Sequence, residues 1–330
     1  MTITRDSAVS IAIVRQPVEH LLDEVDACVA HAITSITTFV NPVAGHLLRL
    51  GGKRLRPLVV LLTAGICGRK NPRSIQAAAL VEILHAATLI HDDVVDGSST
   101  RHGAPSVNAL WSNPAAVLAG DYLLSCGLLL CLRNGEYDFL HIVSDAIRRM
   151  SEAELLEIHK AALLDMSEQD YDAVIRGKTA SLFAACGGLG AASVDATAAQ
   201  RTRFRAYGEN VGMAFQIRDD VLDYVGGQRL GKPVGADIRE SKLTLPLIHA
   251  LNRAPSSDAR RVIDLVRAGV AEADVPRILG FIEAYGGIEY SERRAREFGE
   301  DARQALRDVP DSPERQALHN FVDFAVERTF

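Results

Sequence analysis

Apolar residues recur along this chain at helical spacing. Val18, Leu21, Leu22, Val25, Val29 and Ile33 fall at i, i+3, i+4 and i+7, the stripe that an amphipathic helix buries. Ile75, Ala79, Leu80, Ile83 and Leu84 repeat the pattern and lead into Leu89 and Ile90. Similar periods run through 138–164, 170–185, 201–225, 273–284 and 315–328. No alternating run bounded by turn residues predicts a strand. Pro57, Pro72, Pro114 and Pro246 read as first-turn prolines. Asn71-Pro72 and Asn113-Pro114 read as cap-plus-proline starts. Breaks are predicted at Asn41-Pro42, at Gly51-Gly52, over 97–105, over 226–235 and around Pro255. None makes a long linker, and no internal repeat stands out. The expectation is one all-α domain over 1–330, of about ten to thirteen helices, with its chemistry in a core near 50–250.

Composition narrows the class. The chain has 330 residues, 48% of them hydrophobic and 24% charged, a globular balance that excludes disordered and collagen-like chains. Its net charge of −6 argues against a general nucleic-acid binder. The most apolar stretch, 118–132, is interrupted by Asp121, and 58–67 is too short to span a bilayer. Arg5 and Asp6 precede only a short apolar run, with no secretory core and cleavage site behind it. Five cysteines, an odd number without C-x-x-C spacing, read as reduced buried thiols. A cytoplasmic protein with no integral membrane segment is expected.

Two aspartate clusters are the sharpest feature. The first is His91-Asp92-Asp93-Val94-Val95-Asp96, at the end of an apolar helical run. The second is Gln216-Ile217-Arg218-Asp219-Asp220-Val221-Leu222-Asp223. Asp92 and Asp96 share a helix face, as do Asp219 and Asp223. At ~6 Å and an effective dielectric of ~20, such a pair repels by ~3 kcal/mol. Asp is also a poor mid-helix residue. One such cluster could be a solvated helix end, with Asp93 or Asp220 on the surface. Two clusters, each inside an apolar run, point to facing carboxylates that hold a hard divalent cation. Mg²⁺ takes oxygen ligands and bridges carboxylates to substrate phosphates. His91 beside Asp92 suggests a metal phosphohydrolase, but the second cluster has no place in that logic.

Cations accompany the carboxylates. Gly51-Gly52-Lys53-Arg54-Leu55-Arg56-Pro57 sets three of them on a glycine-bearing loop at a helix start, where backbone N–H groups favour an anion. Arg101-His102-Gly103 follows the first cluster, Lys178-Thr179 sits mid-helix, and Lys232 and Lys242 follow the second. Together they indicate diphosphate chemistry with Mg²⁺ between the two sets.

In this order the residues resemble the trans-prenyltransferases, the all-trans polyprenyl diphosphate synthases. The likeness runs from about 50 to 250 through GGKRLRP (51–57), LIHDDVVD (89–96), RHG (101–103), GKTASL (177–182), FQIRDDVLD (215–223) and GKPVGADIRESKLTLPLI (231–248). It implies an all-α prenyltransferase fold, a homodimer and a central cavity where the two motifs face each other. It implies that Asp92, Asp96 and Asp219 are Mg²⁺ ligands, with three ions once substrate is bound, and that Asp93, Asp220 and Asp223 support them. Lys53, Arg56 and His85 resemble an isopentenyl diphosphate site. Arg101, Lys178, Thr179, Gln216, Lys232 and Lys242 resemble an allylic diphosphate site. His85 lies seven residues before Asp92, about two turns, on the same face. The family usually carries Arg where this chain has His102, and often Gly where it has Ser241. His102 is expected to hold the homoallylic diphosphate only when protonated. The KM for isopentenyl diphosphate should then rise from about pH 6 to pH 8 and flatten in His102→Arg.

Product length should follow the helix that carries Asp92. At ~1.5 Å per residue, Ala87 lies ~7–8 Å below that carboxylate, Leu84 ~12 Å and Val81 ~16 Å. In the resembled family an aromatic residue four or five positions before the motif blocks the tunnel. Here those positions are the small Thr88 and Ala87. A long product is expected, C30 to C50 and near C35–C40, with Leu84, Val81, Leu124 or Leu128 as the floor. The alternatives are a C20 geranylgeranyl diphosphate synthase, a non-catalytic subunit of a heteromeric synthase, and a class I terpene cyclase. All six motif aspartates are present, against the second alternative. The basic loop at 51–57 is not needed by the third.

Overall fold

Helical periodicity becomes seventeen α-helical segments in the computed structural model, which describes residues 10–35, 37, 40–49, 52–101, 103–225 and 235–328. Gly51, His102 and Lys232 lie outside the described residues. The segments are α1 (Ile11–Arg15), α2 (Glu19–Ile33), α3 (Val40–Arg49), α4 (Leu55–Cys67), α5 (Pro72–Val95), α6 (Val107–Leu110), α7 (Asn113–Arg133), α8 (Tyr137–Leu163) and α9 (Glu168–Ile175). A π turn, Arg176–Ala180, joins α9 to α10 (Ser181–Ala192). There follow α11 (Ala198–Val225), α12 (Ala236–Arg239), α13 (Leu245–Arg253), α14 (Ser256–Ala268), α15 (Val275–Ala284), α16 (Gly287–Ala305) and α17 (Pro313–Glu327). The count passes the expected thirteen because α1, α6 and α12 are single turns and α9 and α10 are halves of one rod.

Local chemistry explains most starts. Asn71 caps α5 in a full capping box with Ser74, and Pro72 fills its first turn. Pro57 and Pro246 also sit in first turns. Two expectations are corrected. Ser112, not Asn113, caps α7, its hydroxyl accepting from the Ala115 N–H. Asn41-Pro42 is not a break but the first turn of α3, where proline lacks only a donor that the helix does not use. The predicted break at 97–105 holds a short hairpin. Strand β1 (Thr100–Arg101) pairs antiparallel with β2 (Ala104–Pro105), Arg101 opposite Ala104, and turns on Gly103 at φ 80°.

The core has two clusters. One joins α2, α4, α5, α7, α10 and α17 around Leu58, Leu61, Leu80, Ile83, Phe183 and Phe321. The other joins α9, α11, α13, α15 and α16 around Tyr171, Met213, Ile217, Ile248 and Ile282. Helix α10 is buried along its whole length. Its small residues let backbones touch: a Cβ at Gly187 would stand 2.0 Å from the Phe204 carbonyl oxygen of α11, and one at Gly208 2.1 Å from that of Phe183. The rod α11 packs on α10 and α16 and so links the clusters. It carries the second aspartate motif, as α5 carries the first. The five cysteines are free, and Cys126, Cys131 and Cys186 are buried. By length and composition α5 and α7 could each cross a membrane. Helix α5 is mostly core, whereas 28% of the apolar window of α7 is buried.

Candidate active site

The C-terminal turn of α5 presents the first motif. Asp92 is half-buried and Asp96 is the C-cap. Asp93, one position round the helix, is 4% exposed and turns into the protein. There its Oδ1 accepts from Arg101 Nε at 3.0 Å and Nη2 at 2.5 Å. The hairpin is what brings Arg101 back, and Ser98 N–H and Asn108 Nδ2 fasten the same turn by donating to the Asp93 carbonyl. Arg101, expected at the allylic diphosphate, is thus paired with the middle aspartate.

The second motif repeats the division of labour with other partners. Asp219 is the exposed member, its side chain 54% accessible, and it pairs with Arg328 Nη2 at 2.9 Å. Asp220 is 5% exposed. Its Oδ2 accepts from the Tyr171 hydroxyl at 2.6 Å and its Oδ1 from Gln216 Nε2 at 2.8 Å. Burial pushes the Asp220 carboxyl well above the usual range, Asp237 adds to this, and the two donors pull it back. Asp223 accepts from the backbone N–H groups of Ala236 and Asp237 at 3.1 Å each, and so secures the single turn α12.

Cations link the motifs. Lys242 Nζ lies 3.5 Å from Asp96 Oδ1 and 3.0 Å from Glu240, so the segment after the second motif reaches the first. Lys178, in the π turn, is held by Glu154 at 2.8 Å and Glu157 at 2.6 Å, both from α8. Burial opposes its charge, but Glu157 and Glu154 outweigh burial and hold its pKa above that of an ordinary lysine. Asp92 feels the same surroundings. Burial pushes it up to about 6, Lys178 and Arg101 pull it down, and Glu154 and Asp96 push it up. Thr179 donates its hydroxyl to Gln216 Oε1 at 2.7 Å. Lys178, Thr179, Gln216 and Lys242 line one cleft of about 160 Å³.

Lys53, Arg56 and His85 also meet. Arg56 Nη1 lies 2.8 Å from His85 Nε2, and its guanidinium stands 5.0 Å from the centre of the Phe183 ring. Lys53 Nζ stands 5.5 Å from the Phe324 ring centre. Burial and the neighbouring Arg328 lower its pKa, against Asp219. Arg54, between them, pairs with Asp26 at 2.8 Å and Glu82 at 2.6 Å and is structural. Lys53, Arg54, Arg56, Glu82 and His85 border a cavity of about 950 Å³ that follows Ile83, Ala86, Ile90 and Asp93 along α5.

The expected chain-length positions lie on another face. Ala87, Leu84 and Val81 are buried, and Leu84 packs toward Gly127 of α7, where a Cβ would stand 3.2 Å from its Cδ2. Thr88 bonds its hydroxyl to the His85 carbonyl. Leu124 and Leu128 of α7 are half-buried.

Among the described residues no three His, Cys, Asp or Glu side chains converge to hold a metal ion by themselves. The donors at hand are carboxylate oxygens. These suit a hard cation that a phosphate ligand completes, so the residues present fit Mg²⁺.

Sequence reasoning missed Tyr171, Glu154, Glu157, Asp237 and Arg328. Tyr171 had a signal, since it lies seven residues before Lys178, as His85 lies before Asp92. Glu154 and Glu157 share a face at i, i+3. Arg328 had none, because only the tertiary fold carries it to Asp219.

The polyprenyl synthetase family model matches residues 37–281. The octaprenyl diphosphate synthase of Escherichia coli is 34% identical over 305 residues, covering 92% of this chain and 94% of that protein. Among solved structures, a Caulobacter crescentus polyprenyl synthase complexed with calcium and isoprenyl diphosphate superposes with a TM-score of 0.92 at 35% identity, covering 98% of this chain and 99% of that one. A decaprenyl diphosphate synthase from Rhodobacter capsulatus gives 0.92 at 35% identity, over 97% and 100% of the two chains.

Proposed function

Because the chain belongs to the polyprenyl synthetase family, we propose that it extends an allylic diphosphate with isopentenyl diphosphate units to a long all-trans polyprenyl diphosphate. The small Ala87 and Thr88, at ~1.5 Å of rise per residue above Leu84 and Val81, favour roughly C30 to C50, centred near C35–C40. The observation that carries the reading is the Lys242–Asp96 contact at 3.5 Å. It brings the segment that follows the second aspartate motif to the first motif.

In this reading Asp92, Asp96 and Asp219 hold Mg²⁺, three ions with substrate bound, and Mg²⁺ supplies the positive charge that lets the allylic diphosphate leave. Lys178 and Lys242 bind and orient that diphosphate, together with Lys232, in the cleft that Thr179 and Gln216 also line. Arg101 joins them while keeping Asp93, since a guanidinium has donors for both. Lys53, Arg56 and His85 hold isopentenyl diphosphate beside them, with His102. Asp93, Asp220 and Asp223 keep the motifs in shape from behind. Apolar walls exclude water that would quench the allylic cation. The double bond of isopentenyl diphosphate attacks that cation, and the proton then lost passes to the departed diphosphate, so no protein base is required.

The exposed apolar face of α7 suits a second copy of the chain. Val117, Leu118, Leu129 and Leu132 stand out there, Leu118 at 68% exposure, and a partner surface would cover them. We propose a homodimer of single-domain chains, located in the cytoplasm.

The test is purified protein with Mg²⁺, farnesyl diphosphate and excess labelled isopentenyl diphosphate, with the products sized. A ladder ending between C30 and C50 supports the reading. An end at C20 makes it a geranylgeranyl diphosphate synthase, and no product makes it a non-catalytic subunit.

A further inference from the structure

We propose that Tyr171 is a positioning residue that acts through Asp220 and Gln216 on Thr179 to favour ionisation of the allylic diphosphate, a step that rests on the function just proposed. The ring is buried among Ile175, Met213 and Ile217, and a phenol hydroxyl in such surroundings needs a partner. It has one in Asp220 Oδ2, at 2.6 Å. That bond leaves Asp220 Oδ1 for the amide nitrogen of Gln216, at 2.8 Å. Gln216 must then point its carbonyl the other way, where it accepts from Thr179 at 2.7 Å.

From Asp220 onward each bond dictates the direction of the next, because a carboxylate oxygen only accepts. A hydroxyl has one proton and two lone pairs, and Thr179 spends its proton on Gln216. What it offers the cleft is oxygen lone pairs. These repel a diphosphate and attract the positive charge that grows on the allylic carbon. With the amide reversed, Thr179 would accept from Gln216 and aim its proton at the diphosphate. That arrangement would strengthen ground-state binding and not the transition state. The π turn at Arg176–Ala180 makes the geometry available, since Thr179 bonds across to α11 and not back along its own helix. Tyr171 touches no reacting atom. It holds one carboxylate oxygen, and so fixes the rotation of the Asp220 carboxylate, whose other oxygen sets the direction of the Gln216 amide.

Tyr171→Phe removes a single oxygen and leaves the ring in the core. Turnover of farnesyl diphosphate should fall about tenfold in kcat, the worth of one hydrogen bond to a charged group, with KM within about twofold. Two substrate analogues separate positioning from structure. An ammonium analogue of the allylic cation, carrying diphosphate, should bind about tenfold more weakly. A non-ionising thio-substituted allylic diphosphate should bind as before. In a Thr179→Val background, Tyr171→Phe should cost nothing further. Gln216→Met cuts the middle link and must give the same split between the analogues, which keeps the test open if Tyr171→Phe does not fold. Unchanged kcat, equal loss of both analogues, or an additive loss in the Thr179→Val protein would overturn the proposal alone. A wild-type protein that cannot extend farnesyl diphosphate would overturn the proposed function as well.

Discussion

The two aspartate motifs have the same spacing and opposite support. On α5 the buried middle carboxylate, Asp93, is met by the guanidinium of Arg101. On α11 the buried middle carboxylate, Asp220, is met by two neutral donors, Tyr171 and Gln216. The first arrangement cancels charge with charge, and the second leaves a buried carboxyl held by dipoles. The difference shows in the carboxyl groups nearby. Burial pushes Asp237 up to about 7, helped by Asp223 and opposed by Lys242, and raises Asp220 well above the usual carboxyl range. One motif is therefore closed by an ion pair that is costly to break, and the other by a network that can be tuned.

The largest test asks whether the motifs are equal at their open positions. Asp92→Ala and Asp219→Ala should each lower kcat by about a thousandfold or more, as removal of a metal-binding carboxylate does, in a steady-state assay. A mild loss at either position would make the motifs unequal in chemistry as well as in support. Next comes the product path proposed along α5. Ala87→Phe should shorten the product to about C15–C20, because a ring ~7–8 Å below Asp92 blocks the path; unchanged products on thin-layer sizing would put the tunnel on another face of the helix.

Support itself is compared by stability. Arg101→Met strands a buried carboxylate and should cost about 3–5 kcal/mol in denaturant unfolding, against about 1–2 kcal/mol for Tyr171→Phe, which removes a neutral donor. Equal costs would erase the distinction between the motifs.

The smallest effect is with pH. Asp92, at about 6, and Asp237, at about 7, hold a proton more tightly folded than unfolded. The stability this lends is complete below about pH 4 and is lost as pH rises through 6 and 7. The Tm of metal-free protein should fall from pH 5 to pH 7.5 by a few degrees, about what 1–2 kcal/mol moves in a chain of this size. Added Mg²⁺ should raise Tm more at pH 7.5 than at pH 5.5. A larger rise at pH 5.5, seen by calorimetry, would contradict those assignments.

What the sequence could and could not tell divides along local and tertiary lines. The helical rods and the spacing of Asp92 with Asp96 are periodic features, readable without coordinates. So is the placement of His85 two turns from Asp92, and the structure does bring it to Arg56. The all-α class and the family also came through. The burial of Asp93 and Asp220 did not stand out, although their i+1 position turns them about 100° from the open face. The break expected at Asn41-Pro42 failed because a first-turn proline and a helix-ending one look alike locally. The hairpin at 100–105 failed because two-residue strands are too short to show a period. Arg328 depends on α17 returning across α11, which no local pattern encodes.

The π turn between α9 and α10 also sets a rule for insertions and deletions. Such a turn holds one residue more than the α-helical register needs. Deleting any one residue of 176–180 would regularise the rod, a change that sequence length alone would rate as harmless. Because the π turn absorbs its extra residue locally, α9 and Tyr171 would keep their faces, and the change would fall on Lys178 and Thr179, drawn back into the α-helical ladder. A relative that aligns here with a gap should therefore be read as having lost the link from Thr179 to Gln216.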